Sequence, residues 1–278
     1  MRLFRHGKSG EERAGAVDAQ GLKRDISLLV PDITPDWLSP EKLGAIAAIN
    51  LTKLPIVPDD ARIGPPVGNM RQFIAIGLNY RKHAEESGNP VPKEPVVFNK
   101  ALTSICGPND DVVWPEGSET MDWEIELGVV VGATARRVKV EDALANVAGY
   151  CLANDVSERH WQSKRNGQWV KGKSFDTFGP LGPWLVTADD LPDPQSVPLT
   201  LKVNGVVRQD SNTSDMIFSV AEIVSHLSQF MTLLPGDVIV TGTPSGVGLG
   251  MKPPLFLKPG DVMELSGGLL GTQRQRVV

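Results

Sequence analysis

The sequence of 278 residues predicts a mixed, β-rich α+β fold, with a small N-terminal α+β domain and connector over residues 1–68 and a larger catalytic-size domain over residues 69–278. Three observations lead there. The 22 prolines and 28 glycines punctuate short β-branched runs such as Phe73-Ile74-Ala75-Ile76 and Val238-Ile239-Val240-Thr241, the pattern of short strands closed by turns. Few segments keep the 3.6-residue apolar period of a helix. A hydrophobic share of 41% over this length is enough to bury a large core.

Taken in order, Ala14 to Ile26 reads as a hairpin turning around Asp18 to Gly21, and Ser39 to Ile49 as a short helix with Ser39 at the N-cap and Pro40 at N1. Leu54 to Gly68 lacks helical periodicity and carries four prolines, which suits an extended connector. The strand Phe73 to Ile76 leads into a segment, Gly77 to Gly88, that reads as a short helix ended by Gly88. Ser219 to Phe230 is the clearest helix. Ser219 and Glu222 form a capping box, and Ile223, Val224, Leu227 and Phe230 form its apolar stripe. His226 on that helix has no acid placed to orient it and reads as a structural or exposed histidine.

A net charge of −5 with no Lys/Arg-rich block argues against a nucleic-acid surface, whose affinity rests on clustered cations. The N-terminus, Met-Arg-Leu-Phe-Arg-His-Gly, breaks into charges too soon for a signal segment. No run approaches the ~18 apolar residues of a membrane-spanning helix. No membrane association and a cytoplasmic location are the expectations. Cys106 and Cys151, the only two cysteines, are too few for a thiolate metal site and read as reduced, buried small hydrophobes.

The chemistry concentrates in Met121 to Gly132. Period-two patterning puts Trp123, Ile125, Leu127, Val129 and Val131 on one face and Asp122, Glu124 and Glu126 on the other. Like charges so close on a half-buried strand repel and raise one another's pKa, so they call for a cation or for water. Downstream, Asp155 ends an apolar strand and is placed to complete an all-oxygen site. Two glutamates and an aspartate suit Mg²⁺, Mn²⁺ or Ca²⁺ better than zinc. In the helix after Gly77, His83 and Glu86 stand at i, i+3, so that the carboxylate is able to fix the ring tautomer as a general base requires, although a surface His–Glu pair has the same spacing.

Gly167 to Ser174, Gly-Gln-Trp-Val-Lys-Gly-Lys-Ser, matches the phosphate-binding loop pattern G-x-x-x-x-G-K-[ST] letter for letter. Its flanks do not: no apolar strand precedes it and no helix pattern follows. Trp169 and Val170 are also bulky where backbone must wrap phosphates. No nucleotide is expected; Lys173 is instead a candidate partner for a substrate carboxylate or oxyanion. The glycine-rich stretch Thr241 to Gly248 follows a turn and strand and reads as a loop in which Thr243 offers a hydroxyl near a closely approaching ligand.

Together these segments resemble the fumarylacetoacetate hydrolase family. The resemblance is carried, in the family's order, by Phe73 to Glu86, Glu94 to Lys100, Asp122 to Gly128, Asn154 to Arg159, Gly172 to Pro180 and Thr241 to Gly248, and it covers about residues 70 to 278. It implies a β-roll or barrel-like catalytic core, a divalent metal and a homodimer. It places the metal ligands at Glu124, Glu126 and Asp155, the base dyad at His83 and Glu86, and substrate contacts at Tyr80, Arg159, Gln162, Lys173 and Thr243. Within the family, the N-terminal segment and the Lys-Pro-Gly-Asp-Val run starting at Lys258 look most like the subgroup acting on 2,4-diketo-3-deoxy sugar acids, while other relatives are labelled ureidoglycolate lyases. The implied activity is hydrolysis of the C3–C4 bond of a 2,4-diketo acid. A lyase, decarboxylase or isomerase on a related 2-oxo acid and a non-enzymatic fold with a structural cation are the alternatives; the oriented His83–Glu86 pair speaks against the last.

Overall fold

In the computed structural model, which describes residues 1–86, 88 and 90–278, the chain opens with strands Arg2–His6 (β1), Arg13–Val17 (β2) and Lys23–Asp25 (β3), joined as an antiparallel meander. The β2–β3 turn is the one expected, with Asp18 accepting from the Gln20 and Leu22 amides and Gly21 at φ 83°. Helix Pro40–Ala47 (α1) has Ser39 as its N-cap, accepting from Lys42 N. Residues from Leu54 to Gly68 cross in extended and irregular backbone. Phe73–Gly77 (β4) leads through Leu78, held at φ 54°, into Arg81–Glu86 (α2), shorter than expected because the positive-φ turn delays its start. Gly88, at φ 68°, stands where a helix-ending glycine was predicted.

Val96–Lys100 (β5) returns beside β4. The short strands Ile105–Cys106 (β6) and Met121–Asp122 (β7) precede the long Ile125–Val131 (β8). After Val140–Ala143 (α3), Val147–Asn154 (β9) and Ser157–Glu158 (β10) run into Arg159–Ser163 (α4) and Val170–Lys173 (α5). Gly179–Pro180 (β11), Leu185–Thr187 (β12), Pro198–Val203 (β13) and Val206–Asn212 (β14) come next. Val220–Phe230 (α6), Val238–Val240 (β15), Val262–Ser266 (β16) and Thr272–Arg276 (β17) complete the chain.

Nine strands form one sheet in the order β3-β2-β1-β12-β9-β8-β15-β4-β5, and β14-β13-β16-β17 form a second. The first sheet is antiparallel except where β15 runs parallel to β4. Pairing of β1 with β12, Arg2 opposite Val186, makes the N-terminal strands an extension of the main sheet. The small N-terminal unit therefore shares both sheet and core with the chain beyond residue 68.

Strand β8 lies in the middle and is buried on both faces. Its alternation divides two cores, where the sequence pattern predicts a half-buried strand; neighbouring strands and the second sheet cover both faces. Ile125, Leu127, Val129 and Val131 join Ile223, Val224 and Leu227 of α6 and Leu199, Leu201, Met263 and Leu265 of the second sheet. Val130 faces Leu3, Leu38, Cys151 and Val238. Each such side chain contributes about 1.5–3 kcal/mol by leaving water, so a one-residue slip of β8 is strongly disfavoured. Helix α6 has the predicted capping box, but Phe230 is 58% exposed. It lies in the last turn, and its ring packs on His226 instead of the core.

Candidate metal and catalytic site

The site grows from the ends of β8 and β9, the two strands with the longest mutual ladder. Just before β8, Glu124 sits on irregular backbone; Glu126 is two residues on; Asp155 comes directly after β9, its amide donating to Glu124 O at 2.8 Å. One oxygen from each carboxylate falls within 4.8 Å of the others, and all three are buried. Three hard, anionic oxygen donors at that spacing suit a Mg²⁺- or Ca²⁺-type ion, so the residues fit the group that the sequence implies.

Asp122, grouped with these acids by its spacing, is not part of the cluster. The strand breaks after it, between β7 and β8, and the carboxylate turns to accept from the amides of Trp123, Gly248 and Leu249 and from Arg159 Nε at 2.8 Å. It ties the glycine-rich loop to α4.

Cations fill the other side. Lys173 Nζ is 2.7 Å from both Glu124 Oε2 and Asp155 Oδ2. Arg159 Nη1 lies 2.6 Å from Glu124 Oε1, and Lys100 Nζ 2.5 Å from Asp155 Oδ1. The backbone of the four-residue α5 reaches this depth because Gly172 packs where a Cβ would meet Glu158 O at 2.3 Å. Burial alone would raise the Glu124 carboxyl, but Lys173 and Arg159 outweigh it and hold it at about 2. Glu126 behaves oppositely: burial, then Asp155 and Glu124, push it well above the carboxylate range, with Lys173 and the Gly242 amide (2.7 Å) opposing. Burial pulls Lys173 down, yet Asp155 and Glu124 leave it raised.

The dyad stands at the rim. His83 Nδ1 is 3.3 Å from Glu86 Oε2, and the Glu86 carboxylate accepts from Gly246 N at 3.0 and 3.1 Å. Gly246 has φ 102°, a conformation that favours glycine, and Gly250 packs directly against Glu86. The loop expected to act through a Thr243 hydroxyl therefore acts chiefly through backbone amides.

A cavity of about 640 Å³ joins these parts; Glu124, Glu126, His83, Glu86, Gln162 and Lys173 line it. Its remaining wall is largely apolar, with Leu78, Phe98, Trp169, Leu249 and Met251. Trp169 packs against Gly77 and meets the Phe98 ring edge-on, centroids 5.3 Å apart.

Of the expected substrate contacts, Tyr80 lies outside the cavity, whereas Thr243 and Arg159 line it together with Gln162 and Lys173. Tyr80 is fully buried in the core, outside the cavity lining, and its backbone forms an isolated antiparallel bridge with Met216. Thr243 lines the cavity, but its hydroxyl donates to Ile125 O at 2.9 Å and accepts from Gln209 Nε2 at 2.7 Å, so its proton is spent inside the protein. Arg159 lines the cavity, is 6% exposed, and holds Asp122, Glu124 and the Gln162 amide oxygen. Lys100, Gly242, Gly246 and Trp169 have no role that the sequence alone assigns; the only signal is that Lys100 and the two glycines fall inside the segments carrying the family resemblance.

The family profile described as fumarylacetoacetate (FAA) hydrolase, C-terminal, matches residues 72–278. A Burkholderia lata protein, whose name goes no further than a provisional hydrolase, is 55% identical over 276 residues, 99% of this chain and 98% of its own. Among solved structures, a fumarylacetoacetate hydrolase from the psychrophile Exiguobacterium antarcticum is 37% identical with a TM-score of 0.87, over 100% of this chain and 99% of that one. A 5-carboxymethyl-2-hydroxymuconate delta-isomerase from Mycobacterium smegmatis is 34% identical with a TM-score of 0.81, over 100% and 99%.

Proposed function

The chain belongs to the fumarylacetoacetate hydrolase family, and from that premise we propose that it is a divalent-metal-dependent hydrolase cleaving the C3–C4 bond of a 2,4-diketo acid to pyruvate and a second carboxylic acid. One observation carries the reading: a buried oxygen-ligand triad and a histidine paired with a glutamate open onto one cavity. A structural cation site has no use for the second half of that arrangement.

Glu124, Glu126 and Asp155 would hold the ion, which when bound supplies Lewis-acid stabilisation of negative charge on the 2-oxo acid. Glu86, fixed by the Gly246 amide, accepts the Nδ1 proton of His83 and leaves Nε2 to take a proton from water. The water oxygen bonds to C4. Lys173 and Gln162 steady the negative charge that then develops on the C4 oxygen. As the C4 carbonyl reforms, the electron pair of the C3–C4 bond leaves with C3, the three-carbon fragment departs as the enolate of pyruvate, and a proton returned to C3 completes the exchange.

The apolar wall of Leu78, Phe98, Trp169, Leu249 and Met251 supports a short acyl group ending in a methyl, as in a 6-deoxy diketo sugar acid or a simple acylpyruvate. Buried hydroxyls without partners on such a wall cost about 1–3 kcal/mol each. A second reading, isomerisation or decarboxylation of a related 2-oxo acid, draws support from the full-length likeness to the Mycobacterium smegmatis isomerase. Turnover of a panel of diketo sugar acids, acylpyruvates, oxaloacetate and ureidoglycolate with Mg²⁺, run in ¹⁸O-labelled water, separates the two. Hydrolysis puts one label in the second acid; carbon dioxide from oxaloacetate as the dominant product, with no labelled acid from any diketo substrate, assigns the second reading.

A further inference from the structure

The apolar wall of the cavity contains one ring that has no room to retreat. A Cβ at Gly77 would meet Trp169 Cζ3 at 2.3 Å and Cη2 at 2.9 Å, so the indole occupies the place of a side chain at Gly77 and rests on its backbone. Phe98 closes one edge, the two rings tilted by 62° with centroids 5.3 Å apart. The backbone of Trp169 is fixed as well. It opens α5, its carbonyl accepts from Gly172 N at 3.0 Å, and Gly172 in turn packs against Glu158 O and the backbone of Gln162. On its other side Phe98 carries Lys173 Nζ, 5.3 Å from the ring centre, so a single ring separates the indole from that ammonium. Leu78, Leu249 and Met251 line the same wall, but they are aliphatic and change rotamer to make room. An indole seated on backbone does not.

With C4 of a 2,4-diketo acid beside Lys173, the substituent carried by C4 continues past Phe98 and meets the indole. We propose that Trp169, seated on Gly77 and braced by Phe98, sets the length of that substituent: the site takes 2,4-diketo acids with a short acyl group, from acetyl to butanoyl in size, and rejects longer alkyl chains. The proposal rests on the 2,4-diketo acid reading above and adds to it the residue that fixes the substrate's far end. One methylene too many against a fixed wall costs about 10–200-fold in kcat/KM. Gly77 is then part of the specificity without touching the substrate, because any side chain there drives the ring into the cavity.

Turnover of acetyl-, butanoyl- and hexanoylpyruvate tests it, beside calorimetric binding of N-ethyl and N-hexyl oxamate, analogues of oxamate that carry the 2-oxo acid group and a chain but no bond to cleave; both are run with Mg²⁺. In the wild type, kcat/KM should fall by about tenfold or more from butanoyl- to hexanoylpyruvate, and N-hexyl oxamate should bind correspondingly more weakly than N-ethyl oxamate. Trp169→Ala should raise hexanoylpyruvate relative to butanoylpyruvate by about tenfold or more, with the same reversal between the two oxamates. Trp169→Phe, which keeps a ring beside Phe98, should lie between. Gly77→Ala should move the cut-off the other way and lower butanoylpyruvate against acetylpyruvate. An indole that only supports α5 and Lys173 would, on removal, weaken every chain length by one factor. That result, or an unchanged ratio of long to short chain, in a Trp169→Ala protein shown by far-UV circular dichroism to be folded overturns the proposal. If Trp169→Ala does not fold, Trp169→Phe decides by the same ratio. A wild type that shows the cut-off in oxamate binding yet cleaves no acylpyruvate overturns the hydrolase reading alone, whereas one that cleaves short and long chains equally overturns the role of Trp169 alone.

Discussion

The floor of the site and its rim are built in opposite ways. The floor stands on β8 and β9, central strands buried on both faces, and two of its carboxylates, Glu124 and Asp155, are held by ion pairs of 2.5–2.7 Å to Lys100, Lys173 and Arg159. The rim stands on a six-residue helix and a glycine-rich loop, and its key contact, His83 to Glu86, is 3.3 Å long. Burial and charge pairing pre-set the floor for a cation, whereas the rim is positioned by a few amide hydrogen bonds from the loop at Gly246. On the proposed reading, binding and proton transfer fall to structurally separate parts, and each is open to being broken alone.

The largest expected effect is on the floor. Glu126→Gln, Glu124→Gln or Asp155→Asn each removes one anionic ligand from a hard cation. Each should lose bound Mg²⁺ and lower kcat by about 10³-fold, the upper range for one electrostatic stabiliser. Chelation of the wild type with EDTA should do the same. Metal content by atomic emission, beside turnover, checks this; unchanged metal in the variants would break the division between floor and rim.

Next comes the rim. His83→Ala should keep Mg²⁺ and oxamate binding, which need no base, while kcat falls by the ~10²–10⁴-fold typical of lost general-base help. Glu86→Gln should fall less. Near-normal turnover by His83→Ala would move the base elsewhere and favour decarboxylation.

A smaller effect comes from Glu126. Its carboxyl is pushed up by burial and by Asp155 and Glu124, so below that raised value a proton competes with the cation. Mg²⁺ affinity should therefore rise with pH, by up to about tenfold per unit for one released proton, and calorimetry in buffers of different ionisation enthalpy should show the proton leaving. Pairing protects Glu124 from the same competition, since its carboxyl is already held at about 2. Glu126→Gln should abolish any pH dependence of the residual affinity, and an unchanged slope would refute the assignment.

The smallest effect lies far from both parts, on β1. Burial lowers the pKa of His6 below its ordinary 6.5, with Asp25 opposing. A histidine whose folded pKa is depressed favours folding in its neutral form. Its contribution is complete above pH 6.5 and is lost as pH falls toward the lowered value. The urea midpoint should drop more between pH 7.5 and 5.5 in the wild type than in His6→Gln, with the metal site unaffected at either pH; equal drops would remove His6 from the account.

Much of the molecule is determined by the sequence alone. The β2–β3 turn, α1 behind Ser39, the capping box of α6 and the apolar alternation of β8 are set by neighbours a few residues apart, through caps, turns and period-two patterning, whereas the burial of both β8 faces needed the rest of the fold. The triad was legible too, because Glu124 and Glu126 are two residues apart and Asp155 closes an apolar run. Tertiary structure decided where the polar groups were spent. Asp122 shares the alternation of Glu124 and Glu126, yet a break in the strand sends it to Gly248 and Leu249, over 120 residues away. The Thr243 proton goes to Ile125 O, and Tyr80 turns into the core. Lys100 carries no local pattern that points to Asp155, and their meeting depends on β5 and β9 being placed in one sheet with three strands between them. Local spacing fixes which face a side chain takes, but hydrogen-bond and charge partners are chosen by segments far apart in the chain, and only the folded sheet brings those together.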